Sequence, residues 1–252
     1  GILLSECAID NSYKKYCYLN DRIFNCNSKK YNELVDNVVD KKQEKINIVI
    51  GNLYKIEVGK NNYYDFYVLE EDDKTITAIM NKNLGDNVSY SKANELFDKD
   101  NSNALDKLRE RTKDWDNVIS VALPSPLDII KKTSWYNDIK SLDDWQDEYL
   151  EYNNTFEEPE CPTQTDCLAL LNSLEYKAVI PEYLLTNLYT SGDDMDNNNS
   201  IKTGYWTNEF DLKNRLSVYY VSTVGVLNTM SADSLLGIRP VIKIDKKYIV
   251  KD

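Results

Sequence analysis

The chain contains no histidine in 252 residues. That absence removes Ser-His-Asp and Cys-His catalysis, histidine zinc sites and histidine proton shuttles from consideration. No stretch approaches the roughly 20 apolar residues of a membrane-spanning helix. No basic stripe offsets a formal charge of −12 and a pI of about 4.6. Repulsion from phosphates therefore argues against a nucleic-acid partner and against anionic membrane surfaces. No repeat with a period of 20–50 residues is visible. Glycine is scarce, with 8 residues, and Phe is outnumbered by Tyr, 5 against 19. Tyr combines an apolar body with a polar tip and suits half-buried positions and contact surfaces.

Five cysteines are present: Cys7, Cys17, Cys26, Cys161 and Cys167. The stretch CPTQTDC, from Cys161 to Cys167, is a compact polar loop with Pro162 inside it. A local disulfide between the two fits this spacing and points to an oxidising compartment. Thiolate metal binding is the rival, but no second CxxC pair completes four ligands. Of the first three cysteines one is left unpaired, or pairs outside this chain. Ile2, behind a lone Gly1, is read as following a removed targeting segment, and Glu6 makes LLSEC a poor lipoprotein signal.

Residues 1–45 form an N-terminal cysteine-containing appendage, with Ser28 as a cap for a short helix through Val39. From Ile46 the hydrophobic period becomes two. INIVIGNLYKIEV, NYYDFYVLEEDDK and TITAIMNKNL read as three strands joined by short turns. The middle reads as helical. Ser91 caps KANELFDK, Ser102 or Asn103 caps ALDKLRERTKDW, and Ser125-Pro126 opens LDIIKKTSW. Ser141 with Asp144 resembles a capping box, Thr165 caps DCLALLNSL, and Pro181 opens EYLLTNLY. After a polar loop over 191–200 the chain returns to strands: TGYWTNE, RLSVYYVSTVGVLN and GIRPVIKID. Strands, then helices, then strands is an α+β order in which first and last strands can share one sheet.

The series FYVLEEDDKTITAIMNKNLGD (66–86), LPSPLDI (123–129), GYWTNEF (204–210), YYVSTVGVL (219–227) and GIRPVIKID (237–245) resembles domains in surface proteins of low-GC Gram-positive bacteria. Its ending is similar to that of C-type-lectin-like domains, the formylglycine-generating-enzyme group among them. The resemblance spans roughly residues 46–250. It implies an α+β, C-type-lectin-like domain over 46–252, with N- and C-terminal antiparallel strands around a helical middle and a small second sheet. It departs from the family pattern at Asn208-Glu209 and at Tyr219-Tyr220. The copper-holding cysteine pair of the formylglycine-generating enzymes is missing, since no Cys follows Cys167. The lectin calcium signature is missing too; Glu157-Glu158-Pro159-Glu160 is the nearest string.

Several residues stand out. In GYWTNEF, Trp206 is expected to fill the core with its indole N–H on a backbone carbonyl. Strand alternation then places Tyr205 on the opposite, outer side. Arg239, in an apolar strand, is expected to form a half-buried ion pair with an Asp or Glu. The loop 193–198 offers hard oxygen ligands, but an EF-hand reading from Asp194 lacks Gly at Asn199 and has Tyr205 in place of the bidentate Glu. With 42 Asp plus Glu, carboxylate pairs arise by chance and identify no hydrolase. The expectation is therefore a non-catalytic, extracellular or surface recognition domain, without cofactor or metal, that binds a glycan or a protein. Its ligand face is expected between Ser191 and Ser234, at Tyr205, Asn208, Glu209, Phe210, Arg215, Tyr219 and Tyr220. The alternatives are a pilin-like or wall-anchored filament head and a carboxylate-dependent hydrolase.

Overall fold

A computed structural model describes residues 47–91, 102–156, 164–188 and 203–250, with three short strands before them. The chain divides into two compact units, Gly1–Asn47 and Ile48–Asp252. In the first, β1 (Ser5–Ile9), β2 (Lys15–Leu19) and β3 (Arg22–Asn25) form an antiparallel sheet in that order. The helix expected after Ser28 lies outside the described residues, as do Cys26 and its pairing.

The second unit is built on a five-stranded antiparallel sheet. Its members are β4 (Leu53–Gly59), β5 (Asn62–Glu71), β6 (Thr75–Met80), β8 (Val118–Ala122) and β13 (Val241–Asp245), in the order β4-β5-β6-β13-β8. The period-two pattern explains the first three. In β6, Ile76 and Ala78 face the core while Thr75 and Thr77 are half-exposed. The last strand then inserts beside β6, with Ile242 opposite Ala78 and Ile244 opposite Ile76. Fold class is thus mixed α and β, with first and last strands of the unit in one sheet.

A two-stranded ladder joins β7 (Val88–Ser89) to β12 (Leu235–Leu236). A second sheet has the order β11-β10-β9, from β9 (Tyr205–Phe210), β10 (Ser217–Val221) and β11 (Leu227–Ser231). RLSVYYVSTVGVLN is therefore a hairpin rather than one strand. Gly225 at φ +94° turns it, a conformation that a Cβ disfavours.

The helices are α1 (Asn103–Arg111), α2 (Pro126–Ile130), α3 (Trp145–Asn153) and α4 (Gln164–Ser173). Ser102 caps α1, its hydroxyl accepting from the Leu105 amide at 3.2 Å. The helix stops at Thr112, whose hydroxyl turns back to the Leu108 carbonyl at 2.8 Å. Ser125 makes no side-chain cap bond, and α2 is short, with Ser134–Asp138 a separate 3-10 turn. Glu148, not Asp144, performs the reach-back: its carboxylate accepts from the Lys140 and Ser141 amides at 2.9 and 3.1 Å. Pro181 precedes a 3-10 turn, Glu182–Leu185, rather than an α-helix. The middle is not purely helical either, because β8 interrupts it and pairs with β13. KANELFDK and the polar loop 193–198 lie outside the described residues.

Among the described residues, two apolar clusters flank the small sheet, apart from the buried face of the large sheet that carries Ile56, Phe66, Ile76 and Ile244. One gathers Ile129, Ile130, Trp135, Tyr149, Leu184, Tyr205 and Tyr219; the other gathers Tyr90, Leu108, Leu123, Trp206, Val218 and Ile238. Strands β9 and β10 run between them and feed both, one from each face. Among the described residues no helix is long and apolar enough to cross a membrane.

Candidate ligand-binding cleft

GYW and GIRP meet directly. The Gly237 amide donates to the Gly204 carbonyl at 2.9 Å, and the Trp206 amide donates to the Gly237 carbonyl at 3.0 Å. A Cβ on Gly204 would collide with the Val221 carbonyl, and one on Gly237 with the Asn83 side chain. The glycines thus permit the close approach that joins the small sheet to the strand entering the large one. Trp206 is fully buried; its Nε1 donates to the Val88 carbonyl at 2.8 Å and its ring meets Tyr90 edge-on at 5.6 Å.

Tyr205 differs from expectation. It is as buried as Trp206, because β9 separates two cores and has no solvent side at this point. Its hydroxyl donates to the Leu184 carbonyl at 3.1 Å, and burial pushes its pKa up to about 12. Arg239 also differs. It is fully buried, and no carboxylate pairs with it among the described residues. Its Nε donates to the Met80 carbonyl at 2.6 Å, Nη1 to the Leu184 carbonyl, and Nη2 to the Tyr183 carbonyl at 3.3 Å and the Thr186 hydroxyl at 3.1 Å. The guanidinium also lies 5.2 Å from the Tyr205 ring centroid. Carbonyl groups at the end of the 3-10 turn thus take the place of the expected acid.

Tyr219 is buried against Trp145, with ring centroids 5.6 Å apart. Burial, then the Asp211 and Asp147 carboxylates, drive its pKa well above the usual phenol range. Full burial removes Tyr205 and Tyr219 from any face that a ligand reaches. Asn208, Glu209, Phe210 and Tyr220 are half-buried and Arg215 is exposed. Phe210 and Tyr220 pack on the second cluster, Arg215 covers the Phe210 ring at 5.7 Å, and the Asn208 amide donates to the Pro124 carbonyl at 3.0 Å. Two of the seven expected residues are thus inside the fold, and the other five lie along β9, β10 and the turn between them.

A cleft of about 340 Å³ does form elsewhere. Its lining comes from distant parts of the chain: Tyr67 of β5, Asn81 after β6, Thr165 of α4, and Glu182, Thr186 and Asn187 around the 3-10 turn. Leu53, Leu168, Leu185 and Leu188 supply its apolar wall. The Tyr67 ring is braced by Tyr183 at 5.5 Å. Asn187 sits at φ +50°, a conformation that Asn tolerates better than most residues, and its Nδ2 donates to the Asn81 carbonyl at 3.3 Å. The Thr186 hydroxyl, which accepts from Arg239, donates to the same carbonyl at 3.0 Å. Arg239 thereby fixes the cleft floor from beneath. No local motif marks these positions; only the fold brings them together.

Helix α4 forms one side of the cleft. Cys167 is buried and disulfide-bonded, and Cys161, its expected partner, lies outside the described residues. Among the described residues no cluster of three or more His, Cys, Asp or Glu is arranged to hold a metal. No family model, no curated protein and no solved structure matches the chain.

Proposed function

We propose that the Ile48–Asp252 unit is a non-catalytic recognition domain of C-type-lectin-like fold that binds a glycan in this cleft. The cleft itself is the observation that carries the reading. Its volume falls at the lower end of small-ligand pockets, about 300 Å³ upward. An aromatic ring and leucines offer a surface for the apolar face of a sugar. Thr, Asn and Glu side chains beside them offer donors and acceptors for its hydroxyls. Glu182 is the one carboxylate among the lining residues, whereas glycoside hydrolysis needs two facing carboxyl groups.

The pairing of β6 with β13, the helices between them and the small β9-β10-β11 sheet support the fold proposal. The disulfide at Cys167 supports a site outside the cytoplasm, on a Gram-positive cell surface or secreted. A glycan array probed with the protein, with Tyr67→Ala and with Tyr220→Ala tests the reading. Binding lost in Tyr67→Ala and kept in Tyr220→Ala supports it. Binding lost in Tyr220→Ala alone would move the site to the β10 face, and silence across the array would sink the glycan proposal.

A further inference from the structure

Arg239 does more than pin the 3-10 turn. Its partners are carbonyl oxygens and one hydroxyl, which solvate a cation but carry no net charge. Among the described residues no ion pair neutralises it. A buried cation without a counter-ion is costly in a low-dielectric interior. Its field is correspondingly strong on whatever lies next to it. The Thr186 hydroxyl, a cleft-lining group, is in direct contact with its Nη2 at 3.1 Å.

A second lining group points the same way. The Tyr67 phenol has no hydrogen-bond partner among the described residues, and its ring packs on Tyr183, whose carbonyl accepts from Arg239 Nη2. A free phenolic donor beside an uncompensated cation is suited to an anionic acceptor. Thr165, in the first turn of ten-residue α4, adds the positive end of a helix to the same cleft. Glu182 is exposed and is the opposing charge; it can accept from ring hydroxyls and disfavours a ligand with several negative charges.

We infer that the cleft selects an acidic sugar, a pyranose whose ring bears a single carboxylate. This rests on the glycan reading above. The carboxylate takes the place of the counter-ion that Arg239 lacks, accepting from the Tyr67 phenol and separated from the guanidinium by the Thr186 hydroxyl, whose one proton goes to the Asn81 carbonyl. The apolar ring face lies on the leucine wall.

The test titrates the protein with galacturonate and glucuronate, and with galactose and glucose as neutral parents, followed by protein NMR. The expected result is a uronate preference of about tenfold or more over the matching neutral sugar. Thr186→Val keeps the side-chain shape but removes the hydroxyl link; it should weaken uronate binding severalfold and by more than it weakens neutral-sugar binding, so that the preference falls. Arg239→Lys, if its spectrum remains that of a folded chain, should lower the preference as well. The wild-type titration needs no variant, so a misfolded Arg239→Lys leaves the test decisive. Equal binding of acid and neutral parents would overturn the acidic-sugar inference and leave the glycan reading standing. Binding of neither, by a chain that also ignores every array glycan, would overturn both.

Discussion

Gly237→Ala is the sharpest probe of the junction between the two motifs. Gly237 does not adopt a positive φ, so alanine is acceptable to the backbone there. The obstacle is spatial. The three atoms nearest an added Cβ all belong to the Asn83 side chain, with Oδ1 at 2.9 Å and the other two closer. Overpacking of this kind costs about 1–3 kcal/mol, and the closeness of the contact places the substitution at the upper end, about 3 kcal/mol. Asn83 is 1% exposed, and neither its Nδ2 nor its Oδ1 has a hydrogen-bond partner. Removing it relieves a desolvated amide worth about 1–3 kcal/mol while giving up packing of similar size, so Asn83→Ala alone should change stability by less than about 1 kcal/mol. The double variant should then recover most of the loss, giving a favourable coupling of about 2 kcal/mol. Urea denaturation of the four proteins measures this cycle. Additive effects, or a Gly237→Ala protein as stable as the parent, would refute the close approach of Asn83 to Gly237.

Arg239→Met should cost about 3–5 kcal/mol, because the Met80, Tyr183 and Leu184 carbonyls each lose a charged donor in the interior, Leu184 keeping only the Tyr205 hydroxyl; denaturant titration checks it, and a loss below about 1 kcal/mol would contradict the bonding described. Alkaline stability follows from the buried phenols. Burial raises Tyr149, Tyr205 and Tyr219, with Tyr205 at about 12, so the folded state holds these protons more tightly than the unfolded state at about 10. The corresponding stability is fully present below pH ~10 and is lost above it at about 1.4 kcal/mol per pH unit for each such tyrosine. Phenolate absorbance and circular dichroism should change together above pH ~10; ionisation of all the tyrosines near pH ~10 in a chain that stays folded would contradict it.

Much of the fold can be read from residue pattern. Alternation in TITAIM and VIKID sets two neighbouring strands of the large sheet, and Ser102 marks the start of α1. VISVA escapes notice because five residues between two loops carry little periodicity, and its partner lies 121 residues further on, Ile242 opposite Val121. The Glu148 reach-back is hidden because it spans seven and eight residues instead of the usual three. Trp206 is legible as a core residue, whereas Tyr205 is not, since alternation assumes one wet face and β9 has an apolar cluster on each side. Arg239 misleads for a related reason: a sequence shows carboxylates but not the carbonyls that a turn leaves free. The cleft is the least legible feature. Tyr67 and Asn187 are 120 positions apart, and neither belongs to a motif.

On the proposal above, ligand recognition lies in the cleft beside Tyr67 and GYWTNEF belongs to the architecture. Chemical-shift mapping of the isotope-labelled chain against galacturonate tests that division most directly. Perturbations concentrated at Tyr67, Asn81, Thr165, Thr186 and Asn187 are the predicted result. Perturbations centred on Asn208, Glu209, Phe210, Arg215 and Tyr220, with the cleft silent, would contradict it.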